Sequence, residues 1–433
     1  MDLKRQFGFW TTVAFLVGQV IAVGIFLVPA GMAKSVGSPF WLLVVWLILG
    51  AQTLSGALCY GELAARFPEA GGSYVYLREV WGKPFAFLYG WMCLLVLDPG
   101  LTAVFAVGLT KYLAYIAPFS PVGQKIFAVL LVVAVGLLNI LGAKIGAEFL
   151  KVLTILKVST LIFIIVYGFV GGFGDWNNFK PFFAVPTDTF GAFAGGIVGA
   201  FFAFAGWWEV TRVAGEVENP EKNLPKALAV GIAALTVIYI LTSAVFFYLV
   251  PLERVTNDET FAAQAGEVLF GKTGGIVFAS IVIVSVLGTL IAYLMFSPRV
   301  YYAMAKDGLF FQAFGKLHRR FGTPHYATVI QIVLACALIV SGSFEEIISY
   351  FFFVTVLFIA LTIAGVFRVH KREFSGYKTL LYPLTPLFFL LITTMVLFLV
   401  AMKNPKQSFL GVAVVLLGLP VYYLILGSKQ KAK

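Results

Sequence analysis

The apolar run from Phe9 to Met32 is long enough to cross a bilayer, yet it carries Ile21-Ala22-Val23-Gly24-Ile25-Phe26 near mid-depth. A second run, Phe190 to Ala214, carries Phe202-Ala203-Phe204-Ala205-Gly206-Trp207 at a similar depth. Glycine weakens a helix by about 1 kcal/mol relative to alanine, and it lets backbone come close to a ligand. In hydrocarbon, unwound backbone is tolerated only where it is buried in protein or lines a cavity. Small residues also let intact helices pack tightly, so either segment alone is ambiguous. Two of them, in corresponding positions of two halves, point to a transporter's substrate site at the bilayer midplane.

Of the 433 residues, 61% are hydrophobic and only 12% are charged. A soluble domain carries about 25% charged residues, so the chain is expected to be an all-α polytopic membrane protein in one integrated bundle. The three cysteines, Cys59, Cys93 and Cys336, lie in apolar runs without metal-ligand spacing. His318, His325 and His370 are scattered, and no P-loop or nucleophile triad is present. No metal, cofactor or enzymatic activity is therefore expected. The first apolar run is too long for the core of a signal peptide and is followed by further runs, so no cleaved leader is expected.

A span needs about 20 apolar residues, and twelve runs qualify: 9–32, 40–65, 84–116, 124–141, 147–171, 190–214, 225–250, 274–305, 325–342, 344–367, 379–401 and 409–426. The long runs at 84–116 and 274–305 imply tilt or extension beyond the hydrocarbon. Gly342-Ser343 makes the turn between the ninth and tenth runs very tight. Most of the 31 Lys and Arg residues fall on one set of ends and loops, including Lys4, Arg5, Arg299, Lys306, Arg319, Arg320, Arg368, Lys371, Lys429, Lys431 and Lys433. By the positive-inside rule this places both termini in the cytoplasm. The net charge of +11 is thus mostly topology, and nucleic-acid binding has no further support.

Unwinding at Ala22 to Gly24 would free N–H groups at the start of a half-helix, where the dipole favours a carboxylate. Unwinding near Phe202 to Gly206 would free carbonyls suited to an ammonium group. Together they fit the zwitterionic end of an α-amino acid. Lys157 lies inside the fifth span, about ten residues or about 15 Å from its end, too deep to snorkel easily. A lysine there costs roughly 2.5–3.5 kcal/mol on insertion scales, which makes it a candidate internal cation or proton carrier. Asp98, before Pro99-Gly100 in the third span, is either functional or a structural partner of a basic neighbour. Glu62 with Arg66, and Glu209 with Arg212, read as gate or solvated charges. Glu69-Ala70-Gly71-Gly72-Ser73-Tyr74 would turn sharply into an interfacial helix.

These segments, in order along nearly the whole chain, resemble the amino acid–polyamine–organocation superfamily and within it the L-type amino acid transporters and their bacterial relatives. The resemblance rests on Gly24-Ile25-Phe26 with Pro29 and Gly31, Ser55 to Leu63, Pro68 to Tyr74, Phe202 to Trp207, Glu216 to Pro225 and Arg299 to Gly308. It implies a LeuT-type fold with discontinuous helices 1 and 6. Residues 1–171 and 172–378 would form inverted repeats of five helices each, with 379–433 outside the transport core. It also implies sodium-independent exchange or proton-coupled uptake of amino acids, with Lys157 standing where sodium-dependent relatives bind sodium. Phe202 would be an aromatic lid over the substrate. The expected site is Ile21, Ala22, Val23, Gly24, Phe202, Ala203 and Ala205, with Lys157 and Asp98 in coupling roles.

The chain departs from the family pattern in places. Ala22-Val23-Gly24 replaces the usual Gly-Ser-Gly, which loses a hydroxyl and narrows the site. Trp208 replaces a commonly polar residue, and Asp98 stands where some relatives have a basic one. The outer loop between spans 3 and 4 has no Cys to bind a heavy chain, so a self-sufficient carrier in a prokaryotic cytoplasmic membrane is expected. The alternatives are a polyamine or amine exchanger, which needs an acid-lined pocket, and a non-transporting amino acid sensor. The lipid bilayer and a small-molecule substrate are the only partners expected.

Overall fold

The structure, a computed structural model, describes residues 5–141, 143–183, 189–251, 261–342 and 344–430. Lys4, Lys431, Lys433 and Ser343 lie outside the described residues. Among those described there is no β-strand, and Phe7 and Val217 form one isolated parallel bridge.

The first apolar run is split into α1 (Phe9–Val20) and α2 (Val23–Val36). Pro39 opens α3 (Pro39–Arg66), a position where its missing N–H costs nothing. Short α4 (Ser73–Trp81) precedes α5 (Lys83–Met92), a π-helical turn (Cys93–Leu97) and α6 (Asp98–Ile116). The wide turn sits where Pro99 cannot donate the hydrogen bond that a regular helix requires. Then come α7 (Pro121–Leu141), α8 (Ala143–Val170) and α9 (Thr189–Phe204), followed by a 3-10 helix, Trp207–Glu216. The second half continues with α10 (Pro220–Leu249), α11 (Phe261–Phe296) and α12 (Pro298–Lys306). It ends with α13 (His325–Ser341), α14 (Phe344–Ala364), α15 (Val366–Val369), α16 (Leu384–Lys403), α17 (Pro405–Leu416) and α18 (Gly418–Gln430).

Among the described residues, ten helical stretches are long and apolar enough to cross a membrane. Two of the twelve expected crossings are shorter: the first is divided at Ile21-Ala22, and the ninth is the 17-residue α13. The run expected at 274–305 lies within one long apolar stretch, Ala262–Lys306. In that stretch backbone departs from helical geometry at Phe270-Gly271, before the expected run begins, and Pro298 opens α12. The seventh run starts earlier than its apolar stretch, at Pro220.

The stretch Lys83–Ile116 is the most enclosed of the ten, with 89% of its apolar window buried. It forms the axis of the bundle. By contrast α7, α8 and α16 expose Leu130, Leu138, Ile155, Val166, Leu391 and Phe398, the arrangement expected of helices that face lipid acyl chains. The helix pairs that pack most closely include α3 along α10, α2 along α9, and α11 along both α6 and α8. Helix α1 packs along α10 and α8, so both parts of the divided first crossing are held by other helices.

The contact of α3 with α10 depends on Gly50. A Cβ there would lie 2.3 Å from Thr236 Cγ2 and 2.7 Å from its Oγ1. Thr236 cannot turn away freely, because its hydroxyl donates to the Ile232 carbonyl at 2.9 Å and a β-branched side chain is stiff. Gly50→Ala should therefore cost about 1–3 kcal/mol, the scale of overpacking. It should lower the thermal midpoint in detergent, and adding Thr236→Ala should restore part of the loss. An unchanged midpoint for Gly50→Ala would show that the helices separate without cost.

Candidate functional site

Nothing local forces the helix to stop at Ile21, since alanine at position 22 is the best helix former. The reason lies in the partners of three carbonyls. In a continuous helix the carbonyls of Gly18, Val20 and Ile21 would accept from the N–H groups of residues 22, 24 and 25. Here Lys157 Nζ donates to Gly18 O at 2.7 Å and to Ile21 O at 2.8 Å. The Tyr239 hydroxyl, from α10, donates to Val20 O at 3.0 Å. Ile21 (φ −71°, ψ 80°) and Ala22 (φ −119°, ψ −142°) leave helical geometry, and α2 restarts at Val23. The first N–H groups of α2 have no partner within their own helix.

The second break falls one or two residues later than the middle of the expected segment. Helix α9 runs through Phe202 and Ala203 to Phe204, and the chain turns at Ala205-Gly206. Gly206 has φ +95°, a conformation that side chains with a Cβ rarely adopt. Beyond the turn the chain continues as a 3-10 helix, not an α-helix. The breaks touch one another. A Cβ on Gly24 would lie 2.8 Å from Ala203 Cα, and the Tyr239 hydroxyl also reaches Ala203 O at 3.2 Å.

A cavity of about 20 Å³ lies between the breaks, room for roughly one water. Of the expected residues, Ala22, Gly24, Phe202, Ala203 and Ala205 line it. Ile21 does not; it is fully buried and contributes its carbonyl to Lys157. The Val23 side chain lies outside the described residues. Gly206 of the expected second break lines it too. The sequence reading missed Gln19, Val20, Leu101 and Phe105, which also line the cavity, and Tyr239 behind it. A tyrosine deep in an apolar span needs a partner for its hydroxyl, and that signal at Tyr239 was available.

Lys157 is 1% exposed and does not snorkel. Its third partner is the Thr289 hydroxyl of α11 at 3.0 Å. One ammonium thus joins α8, α11 and the end of α1.

Asp98 lies away from the cavity lining and is completely buried. Arg212 Nη1 donates to it at 3.0 Å and the Tyr293 hydroxyl at 2.7 Å, and the Tyr301 hydroxyl donates to its other oxygen. Of the two readings of Asp98, the structure gives it a basic neighbour. Arg212 also lies 2.7 Å from Glu209 and donates to Cys93 Sγ at 3.4 Å. Glu209 and Arg212 are therefore not solvated. Nor is Glu62, which accepts from Arg66, at 2.9 Å and 3.0 Å, and from the Thr379 N–H at 2.9 Å, and sits 2.8 Å from His370 Nδ1.

Close by, the expected turn at Gly71-Gly72 docks on the 3-10 helix, with the Gly71 N–H donating to Arg212 O at 3.0 Å. The chain before α1 is tied to the end of the same helix. The N–H groups of Gln6 and Phe7 donate to Glu216 O, and Glu218 N–H donates to Phe7 O. Among the described residues, no group of three or more His, Cys, Asp or Glu is placed to hold a metal ion.

Removing the Asp98 carboxylate would leave Arg212 Nη1 and the Tyr293 and Tyr301 hydroxyls without their acceptor, at about 1–3 kcal/mol for each buried donor left unpaired. Arg212 itself keeps Glu209. Asp98→Ala should therefore lower the thermal midpoint in detergent severely. Asp98→Asn, which keeps an acceptor for the tyrosines, should lose less. Equal midpoints for wild type and Asp98→Ala would remove the pair from the fold's supports.

The profile described as amino acid permease matches residues 7–424. The serine/threonine exchanger SteT of Bacillus subtilis is 29% identical over 97% of this chain and 97% of its own length. The human cystine/glutamate transporter is 28% identical over 98% of this chain and 86% of its own. The human large neutral amino acids transporter small subunit 2 is 27% identical over the whole of this chain and 82% of its own. With its apolar crossings and a family match over nearly its full length, the chain belongs to the amino acid permease family, a family of multi-pass membrane proteins.

Proposed function

We propose that this chain is a sodium-independent secondary transporter of amino acids that works by alternating access, as an exchanger or with proton-coupled uptake. The observation that carries the proposal is the Lys157 ammonium seated on the carbonyls of Gly18 and Ile21. In broken-helix transporters, unwound carbonyls and half-helix ends are where a coupling cation sits. A fixed ammonium at that place supplies the charge without the ion. It can also exchange a proton, which leaves both coupling modes open to the same residue.

The relatives are named for hydroxylic, acidic and large neutral side chains. What those substrates share is the α-amino and α-carboxylate end, the part that backbone at two breaks suits. In this reading the α2 N-terminus, at Val23 and Gly24, takes the carboxylate, and carbonyls near Ala205 take the ammonium. Phe202 closes over the substrate. A cavity of about 20 Å³ is too small for an amino acid, so the breaks and the aromatic walls must separate to admit one, as alternating access requires.

The reading includes a LeuT-type arrangement of twelve crossings. Residues 1–171 and 172–378 are then inverted repeats, and 379–433 lies outside the core. Both termini face the cytoplasm of a prokaryotic cell, and no protein partner is obligatory. The amine-exchanger alternative needs a free acid at the pocket. Asp98 is engaged by Arg212, Tyr293 and Tyr301 and does not line the cavity, which disfavours it. A sensor would bind without turnover.

Proteoliposomes loaded with unlabelled amino acids and given labelled ones test all of this. Uptake should be stimulated by internal substrate or by a proton gradient, and should be indifferent to replacing sodium with choline. Lys157→Ala should reduce it about tenfold or more, and Lys157→Arg should rescue only part, because arginine is larger and does not deprotonate. Gly24→Ala, which collides with Ala203, should also fail. A strict sodium requirement, or full activity of Lys157→Ala, would sink the assignment of Lys157.

A further inference from the structure

Gln19 is 3% exposed and lines the cavity between the two breaks. The other nine lining residues carry apolar side chains or none: Ala22, Phe105 and Gly206 are examples. Its Cγ packs 3.7 Å from where a Cβ of Gly206 would stand, so the side chain extends from the end of α1 to the turn of the second break.

Other buried glutamines of the bundle have both amide ends engaged. Gln52 Nε2 donates to Thr393 and its Oε1 accepts from Thr53. Gln331 Nε2 donates to Thr102 and its Oε1 accepts from Ser297. Gln19 differs: its Oε1 has no hydrogen-bond partner among the described residues. A buried acceptor left unpaired is destabilising, and a packing role alone would be served by leucine or methionine without that cost. The carbonyls of Gly18, Val20 and Ile21 are already taken by Lys157 and Tyr239. Backbone at the breaks remains for the two charged ends of a substrate, while Gln19 is the single polar side chain on the wall.

We propose that Gln19 is a specificity-determining residue whose amide hydrogen-bonds the side chain of the substrate, so that the carrier favours small hydroxyl-bearing amino acids over apolar ones of the same shape. The inference rests on the transport reading and adds to it the class of side chain. Its logic is asymmetric. An apolar substrate leaves the Gln19 amide unpaired in a closed pocket, whereas a hydroxyl satisfies it, and sites that pair a substrate hydroxyl reject the analogue lacking it far more strongly than apolar pockets reject a methylene.

Threonine and valine are isosteric and isolate the hydroxyl. In proteoliposomes, wild type should favour threonine over valine by about tenfold or more in kcat/KM. Gln19→Met, of similar length but without the amide, should bring the ratio to within about threefold of one, whatever loss is common to both substrates. Gln19→Asn should lie between. A merely structural glutamine would depress both substrates together and leave the ratio alone.

A wild type that moves amino acids without preferring threonine to valine overturns the inference, and this needs no variant to fold. So does a Gln19→Met that keeps the wild-type ratio. If no amino acid is moved at all, the transport reading fails, and the inference fails with it.

Discussion

A membrane helix that stops in mid-bilayer leaves carbonyls that hydrocarbon cannot satisfy, and the whole centre of this bundle depends on who satisfies them. Lys157 and Tyr239 reach the end of α1 from two different helices and take three carbonyls between them. The break is thereby a consequence of tertiary structure. Ile21 and Ala22 have no intrinsic reason to leave the helix, and the same residues elsewhere would continue it. The ammonium is fixed by the break as firmly as the break is fixed by the ammonium. An isolated lysine at this depth would be costly, but three acceptors within 3.0 Å replace its water.

Tyr239 adds a second dependence. Its hydroxyl lies within hydrogen-bond distance of Val20 O and Ala203 O, one carbonyl from each broken element. One hydroxyl proton cannot serve both fully, so the two elements share a single donor. Gly24 against Ala203 reinforces the link sterically. The two breaks are thus one structural unit, and a displacement of either changes the hydrogen bonding of the other.

Much of this was legible in the chain, for identifiable reasons. Apolar runs and basic loop ends gave the all-helical bundle, because hydrocarbon admits few solutions. The paired breaks and Lys157 stood out as local violations of what a spanning helix should contain. Their exact register did not. The second break sits at Ala205-Gly206, because only Gly206 tolerates φ +95°, and no pattern distinguished it from its small neighbours. Gln19 was missed because one glutamine in an apolar run looks like any buried polar residue until its neighbours are known. Asp98 was seen, but its partner Arg212 is 114 residues away, a pairing that no local spacing encodes.

The pairing of Asp98 with Arg212 has a mechanical corollary. A buried ion pair is weak evidence for stability, since desolvation offsets much of the attraction. Its effect on geometry is stronger. Arg212 belongs to the 3-10 helix beyond the second break, Asp98 to the central α6, and Tyr293 and Tyr301 to α11 and α12. The pair therefore joins the part of the second broken element farthest from α9 to the axis of the bundle. Parting these charges in a dry interior would strip Asp98 of its cationic partner, at a cost of several kcal/mol, while Arg212 would keep Glu209 at 2.7 Å on its own helix. Any motion that separates the 3-10 helix from α6 must therefore bring water to Asp98 as it proceeds. Partial separation without hydration is the least stable arrangement available, so this side of the bundle is either closed and dry or open and wet, with little between.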